Sequence, residues 1–217
     1  SNVFANWNPL DNYYCNGTLS NGNNKVVTEA GRYGGIPSTL RMGLGKYYCE
    51  IKSVSGAYNM IGINGSGSND TSYYGPQAFI DGYVYRGDNG NYANSTDGSV
   101  AYGNTYTDGD VIGIALDLDN NKLYFAKNGT WQNSGVPTSG ATGTGAISII
   151  SPTSGTYSFM VSDNNGGGSG TFEANFGNGY FGTTAVASAG TNASGIGIFE
   201  YDVPTGYTAL STKGLNL

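Results

Sequence analysis

Histidine is absent from this 217-residue chain, and Cys and Trp occur only twice each. Without an imidazole, Ser-His-Asp hydrolysis, Cys-His proteolysis and every His-based metal site are excluded. Two cysteines alone make neither a structural zinc site nor a disulfide scaffold. Charge is scarce as well: 11% of the residues are charged, with 9 Lys and Arg against 15 Asp and Glu, for a net charge of -6 and a pI near 4.4. A surface of that sign repels phosphate backbones and anionic lipids, so nucleic acid is not an expected partner. No apolar run approaches the roughly 20 residues that a bilayer span needs, so membrane insertion is not expected. No basic, apolar and small-residue signal pattern opens the chain, and its start at Ser1 fits either loss of an initiator Met or a fragment of a longer polypeptide.

Glycine is abundant, at 37 residues, in a background rich in Asn, Ser and Thr. These residues favour turns or lose entropy when held in a helix, so almost no helix is expected. The 38% apolar content still suffices for a core. Convincing internal repeats and linkers are both lacking, and residues 1–217 are expected to form one all-β domain, possible as a single sandwich at this length.

The most informative stretch runs from Asp108 to Trp131. Ile112, Ile114, Leu116 and Leu118 alternate with Val111, Gly113, Ala115 and Asp117, the period of a strand with one buried face. Asp119-Asn120-Asn121 supplies a turn, Leu123 to Ala126 runs extended again, and Asn128-Gly129 is a tight-turn dipeptide leading to a third strand near Trp131. Further strands are expected over Lys25 to Thr28, Gly45 to Val54, Met60 to Ile63, Gln77 to Ile80, Tyr83 to Arg86, Ala146 to Ile150, Thr156 to Val161 and Phe172 to Phe176. Residues 64–74 and 164–170 read as loops, the latter exposed and mobile, while Gly87 to Tyr92 reads as a turn region followed by a polar excursion to Tyr106. The expected core is Tyr47, Cys49, Ile51, Ile61, Ile63, Ile112, Ile114, Leu116, Leu118, Leu123, Phe125, Phe172 and Phe176. Cys49 shares a strand face with Tyr47 and Ile51, which makes it a small core hydrophobe with a free thiol.

Carboxylates are the remaining route to catalysis, since a glycosidase needs only two at a defined separation. Asp117 and Asp119 alternate as such a pair would, but beside Asn120-Asn121 they read as turn residues. Glu50 and Glu173 point away from the core face and read as solvated or salt-bridged. The spacing Asp117-x-Asp119-x-Asn121 opens like a calcium loop, yet Lys122 stands where Gly is required and Asn128 where Glu is required. No catalytic residue, metal ligand or cofactor site is assigned. Tyrosine, at 18 residues, is the anomaly of composition. Two readings stand side by side: rigid amphipathic side chains of binding loops, or rings capping the rim of a sandwich.

The order Gly-Asp-Val-Ile-Gly (109–113), Leu-Asp-Leu-Asp (116–119), Leu-Tyr-Phe (123–125) and Lys-Asn-Gly (127–129) resembles the central hairpin of a SPRY domain. Gly45-Lys46-Tyr47-Tyr48-Cys49-Glu50-Ile51, Ile61-Gly62-Ile63, Gly82-Tyr83-Val84-Tyr85, Tyr102-Gly103, Phe172 to Gly177 and Pro204-Thr205-Gly206-Tyr207 follow in the family's order. The resemblance implies a two-sheet antiparallel β-sandwich of concanavalin A-like jelly-roll type. Its family core spans 45–177, an insertion spans 179–197 and could lie flat on a neighbouring surface, and a closing strand spans 199–210. It also implies a non-enzymatic module that binds partners through loops at one end of the sheets. Cys49-Glu50-Ile51 and Leu116-Asp117-Leu118-Asp119 depart from the usual Trp-Glu-Val and Leu-Asp-Tyr-Glu while keeping the hydrophobic pattern.

Phe4-Ala5-Asn6-Trp7-Asn8-Pro9-Leu10-Asp11 is similar to the opening of SPRY-type modules in tailed-phage proteins. From it follows the expectation of a virion protein, a capsid decoration or tail-fibre module assembled in the host cytoplasm. Its ligand would be a host-surface glycan or protein, or a neighbouring virion protein, with a homo-oligomer open. A soluble SPRY interaction adaptor is the alternative, and a paired-carboxylate glycosidase a remoter one. The expected binding residues are Tyr58, Tyr73, Tyr74, Tyr85, Arg86, Tyr92 and Trp131.

Overall fold

The computed structural model describes residues 2–12, 15–32, 34–66, 80–163 and 168–216. The strands are β1 (Thr18–Ser20), β2 (Lys25–Val27), β3 (Gly35–Pro37), β4 (Lys46–Ser55), β5 (Asn59–Asn64), β6 (Gly82–Arg86), β7 (Asn91–Asn94), β8 (Gly98–Ala101) and β9 (Val111–Asp117). They continue as β10 (Lys122–Lys127), β11 (Thr130–Trp131), β12 (Ile147–Ser148), β13 (Ser158–Asp163), β14 (Thr171–Asn175), β15 (Tyr180–Phe181), β16 (Thr184–Ala185) and β17 (Thr208–Ala209). The first sheet runs β1-β2-β14-β4-β9-β10-β11, with β12 joined to β10 and β17 lying parallel to β4. The second sheet runs β3-β13-β5-β6-β7-β8 and is antiparallel throughout. Helix is confined to short 3-10 turns among the described residues.

Alternation along the strands sends Tyr47, Cys49, Ile51, Ile112, Ile114, Leu116, Leu123, Phe125, Phe172 and Phe176 of the first sheet toward Ile61, Ile63, Tyr85, Phe159 and Val161 of the second. Every expected core residue is fully buried or nearly so except Leu118, which is half-buried at the end of β9. Trp7 plugs the same core, edge-on to Phe176 with ring centroids 5.1 Å apart. Cys15 and Cys49 are buried free thiols, and burial pushes the Cys15 thiol up to about 12.

Asn128 and Gly129 take φ of 48° and 79°, the left-handed pair that a two-residue hairpin needs. Several expectations require correction. The β9 strand is buried on both faces, not one. The cause lies about eighty residues away, where Ile196, Phe199, Val203 and Tyr207 pack over Tyr48, Ala115 and Tyr124 on the outer face of the first sheet. The end of the turn region expected at 87–92 and the polar excursion expected after it contain β7 and β8, a hairpin that extends the second sheet, with Tyr92 opposite Val100. The strand expected over Ala146 to Ile150 shrinks to β12. Most of the loop expected at 64–74, the strand expected over Gln77 to Ile80 except Ile80 itself, and residues 164–167 lie outside the described residues. Gly170, expected in an exposed loop, is buried and donates its N–H to Thr28 Oγ1 at 2.7 Å.

Glu50, expected to be solvated or salt-bridged, is fully buried on the outer face of β4. Its carboxylate accepts the N–H groups of Glu200 and Tyr201 at 2.8 Å each, the Tyr48 hydroxyl at 3.1 Å and Asn175 Nδ2 at 3.2 Å. This carboxylate fastens residues 196–203, a C-terminal strap, to the centre of the sheet. A Cβ at Gly113 would stand 2.9 Å from the Tyr48 hydroxyl, so glycine is what lets that ring lie across β9.

Candidate functional site

Strand polarity divides the loops between two ends of the sandwich. One end carries the β4–β5 turn, the β6–β7 turn, residues 102–110 and the Asn128-Gly129 turn. The opposite end carries residues 38–45, the β9–β10 turn, residues 149–157 and the residues just after Asn64 and before Gly82.

The five expected binding residues that the structure describes lie toward the first of these ends but do not form one exposed surface. Tyr58 is 40% exposed in the β4–β5 turn. Arg86 is near it, since Met60 pairs with Arg86, but its guanidinium is forked onto Asp88 at 2.7 and 3.0 Å. Tyr92 is half-buried, packs edge-on to Tyr102 and donates to Asp97 at 3.2 Å. Tyr85 is fully buried between the sheets, stacked on Phe125 with its hydroxyl bonded to the Asn104 carbonyl. Trp131 sits on the outer face of the first sheet, edge-on to Tyr48 and Tyr124. Tyr73 and Tyr74 lie outside the described residues.

Several of the described tyrosines act as structural caps. Tyr106 donates to the Asn59 and Tyr85 carbonyls at 2.8 and 2.9 Å, Tyr157 to the Ile150 carbonyl at 2.8 Å and Tyr207 to the Pro137 carbonyl at 3.0 Å. Each buries its ring and satisfies a backbone carbonyl with the hydroxyl, which a phenylalanine would leave unpaired. Burial accordingly holds these phenols above their ordinary range.

The opposite end has different chemistry. Arg41 reaches Thr156 Oγ1 and the Thr156 carbonyl, both at 2.8 Å, and the Ser66 carbonyl and Ser154 Oγ, both at 3.0 Å. Buried Asp81 accepts from Thr153 N–H and Oγ1 at 2.7 and 2.6 Å and from Ser66 Oγ at 3.0 Å. Three chain segments are thereby stapled into one rim. On it stand Leu44, 73% exposed, and the exposed side chains of Ile80 and Ile150. Tyr83 and Tyr157 fix the Ile150 backbone through its N–H and carbonyl, leaving its side chain outward.

Beside Leu44 opens a cavity of about 640 Å³, walled by Lys46, Tyr47, Asp119, Tyr207, Leu215 and several glycines. Lys46 Nζ lies 3.0 Å from Asp117, which also accepts from Asn120 N and Nδ2. Asp117 therefore has the turn role expected of it, plus an ion pair. Glu173 pairs with Lys25 at 3.4 Å, so the carboxylates considered for glycosidase chemistry all hold structure together. Sequence reading missed Leu44, Arg41 and Asp81. Leu44, a lone large apolar residue between Gly43 and Gly45 just before β4, was the available signal.

Fold and site together define a two-sheet antiparallel sandwich that presents a rigid, partly apolar rim at one end. A SPRY domain model matches residues 46–161, more than half of the chain, and the chain belongs to the SPRY domain family. Zebrafish Ran-binding protein 10 is 32% identical over 136 residues, covering 57% of this chain and 22% of that protein. Mouse Ran-binding protein 9 is 39% identical over 88 residues, covering 39% of this chain and 13% of that protein. The chain thus corresponds to less than a quarter of the length of these relatives. The SPRY domain of human HERC1 superposes with a TM-score of 0.56 at 15% identity, covering 77% of this chain and 96% of that one, and so shares the fold. These relatives are proteins of animals, which overturns the expected virion setting. Nothing in these matches links the chain to phage virion proteins.

Proposed function

We propose that the chain is a non-enzymatic protein-interaction adaptor that docks a segment of a partner protein on the rim formed by residues 38–45, 80–81 and 149–157. The observation that carries this reading is the exposed apolar set of Leu44, Ile80 and Ile150 on loops held rigid by Arg41 and Asp81, next to a cavity. A preorganised surface loses little entropy on binding, and a few apolar anchors dominate the affinity of such interfaces. Family membership supports a protein ligand over a glycan, and the names of the relatives make Ran the first protein to test.

Panning a displayed random peptide library against the domain tests the reading, with Ran assayed in parallel. Enrichment of related peptides is expected, with binding lost in the Leu44→Asp/Ile150→Asp variant and kept in the Tyr58→Ala/Arg86→Ala variant. Failure to enrich any peptide while Ran also fails to bind, or the reverse pattern of loss, contradicts it.

A further inference from the structure

We propose that the cavity beside Leu44 receives the side chain of an arginine or lysine from the partner segment, with an apolar neighbour of that residue resting on Leu44. This deepens the docking reading above and rests on it. The cavity volume of about 640 Å³ falls within the range of ordinary ligand sites. Gly43, Gly45, Gly206 and Gly214 line it with bare backbone.

Charge selects a cation. The wall carries one carboxylate, Asp119, and one ammonium, Lys46, and that ammonium is committed to Asp117, which is buried and outside the lining. Asp119 is exposed; its Oδ1 accepts the Gly45 N–H at 2.9 Å, and Oδ2 has no partner among the described residues. Thr208 is a second and independent mark of a ligand. It is only 6% exposed, it lines the cavity, and its buried Oγ1 has no hydrogen-bond partner among the described residues. A guanidinium or ammonium on Asp119 would bring N–H donors to that oxygen too. The Tyr207 ring offers a third element, because Lys46 Nζ already sits 6.0 Å from its centroid, and an aliphatic stem or guanidinium plane packs on the same kind of surface. The chain's net charge of -6 favours approach of a basic segment.

Two-dimensional amide NMR of the full chain, titrated with acetyl-Leu-Arg-Leu-amide and with its citrulline counterpart, tests the proposal. Citrulline keeps the shape and removes the charge. Saturable shifts are expected at Leu44, Lys46, Tyr207 and Thr208 with the arginine peptide, weakened about tenfold with citrulline and by Asp119→Asn, as one charge-assisted bond implies. Asparagine retains an Oδ1 to hold Gly45, so the melting temperature of that variant should not change. Absence of localised shifts at millimolar peptide, or equal affinity for the citrulline peptide, overturns the proposal. Library peptides that dock on the Leu44 rim without a basic residue would leave the adaptor reading standing and remove this one.

Discussion

Glu50 shows how far a single side chain can depart from what its strand position suggests. Periodicity places it on the face away from the core, and that is where it is, yet the face is covered. Four donors meet it there, and Glu50→Ala orphans all four, for an expected loss of at least about 3 kcal/mol in chemical denaturation. Desolvation nevertheless outweighs these bonds and pushes the carboxyl up to about 7 from its ordinary 4.5. The folded protein then retains a proton that the unfolded chain releases, so the stabilisation linked to Glu50 is complete below about pH 4.5 and declines as the pH rises to 7. The decline is on the order of 3 kcal/mol. Urea denaturation of the wild type and Glu50→Gln across pH 4.5 to 8 checks the sign: the wild type should lose ground relative to the variant as pH rises, and a gain would contradict it. Lys46→Met is a second test at this scale. It leaves buried Asp117 with only Asn120 as donor, and a loss of about 2 kcal/mol is expected in the same assay.

Elements were legible wherever the signal was local. The β9–β10–β11 meander follows from alternation and from Asn128-Gly129, and β4, β5, β6 and β14 fall within a residue or two of their expected limits. Tyr85 was misjudged because a Tyr-Arg pair at a strand end looks alike whether the ring faces solvent or the opposite sheet. The strap escaped because its packing on β4, β9 and β10 depends on contacts remote in sequence. Phe199 is its main anchor, edge-on to Tyr48 with centroids 5.0 Å apart. Phe199→Ala should cost about 3 kcal/mol. Amide exchange should accelerate first in residues 196–203 and in Tyr48, while β5 and β13 stay protected. Uniform acceleration across both sheets would show instead that the strap and the sandwich open together.

For the molecule as a whole, the N-terminal Phe4 and Ala5 pair with Ser211 and Leu210, so both ends of the chain close one sandwich. A single cooperative thermal transition with equal calorimetric and van't Hoff enthalpies is expected for residues 1–217. The family and fold were readable from ordered motifs between 45 and 210, whereas the packing of the side chains at the two loop ends was not. Tyrosine abundance fitted binding loops and rim caps alike, several of the described tyrosines are caps, and the exposed apolar rim depends on three segments meeting in space. Hydrogen exchange of the domain with and without a library-selected peptide tests the docking end most directly. Slowed exchange confined to residues 41–47, 149–156 and 206–209 is the expected result; protection at residues 56–58 and 87–92 instead, or none anywhere at saturating peptide, would contradict it.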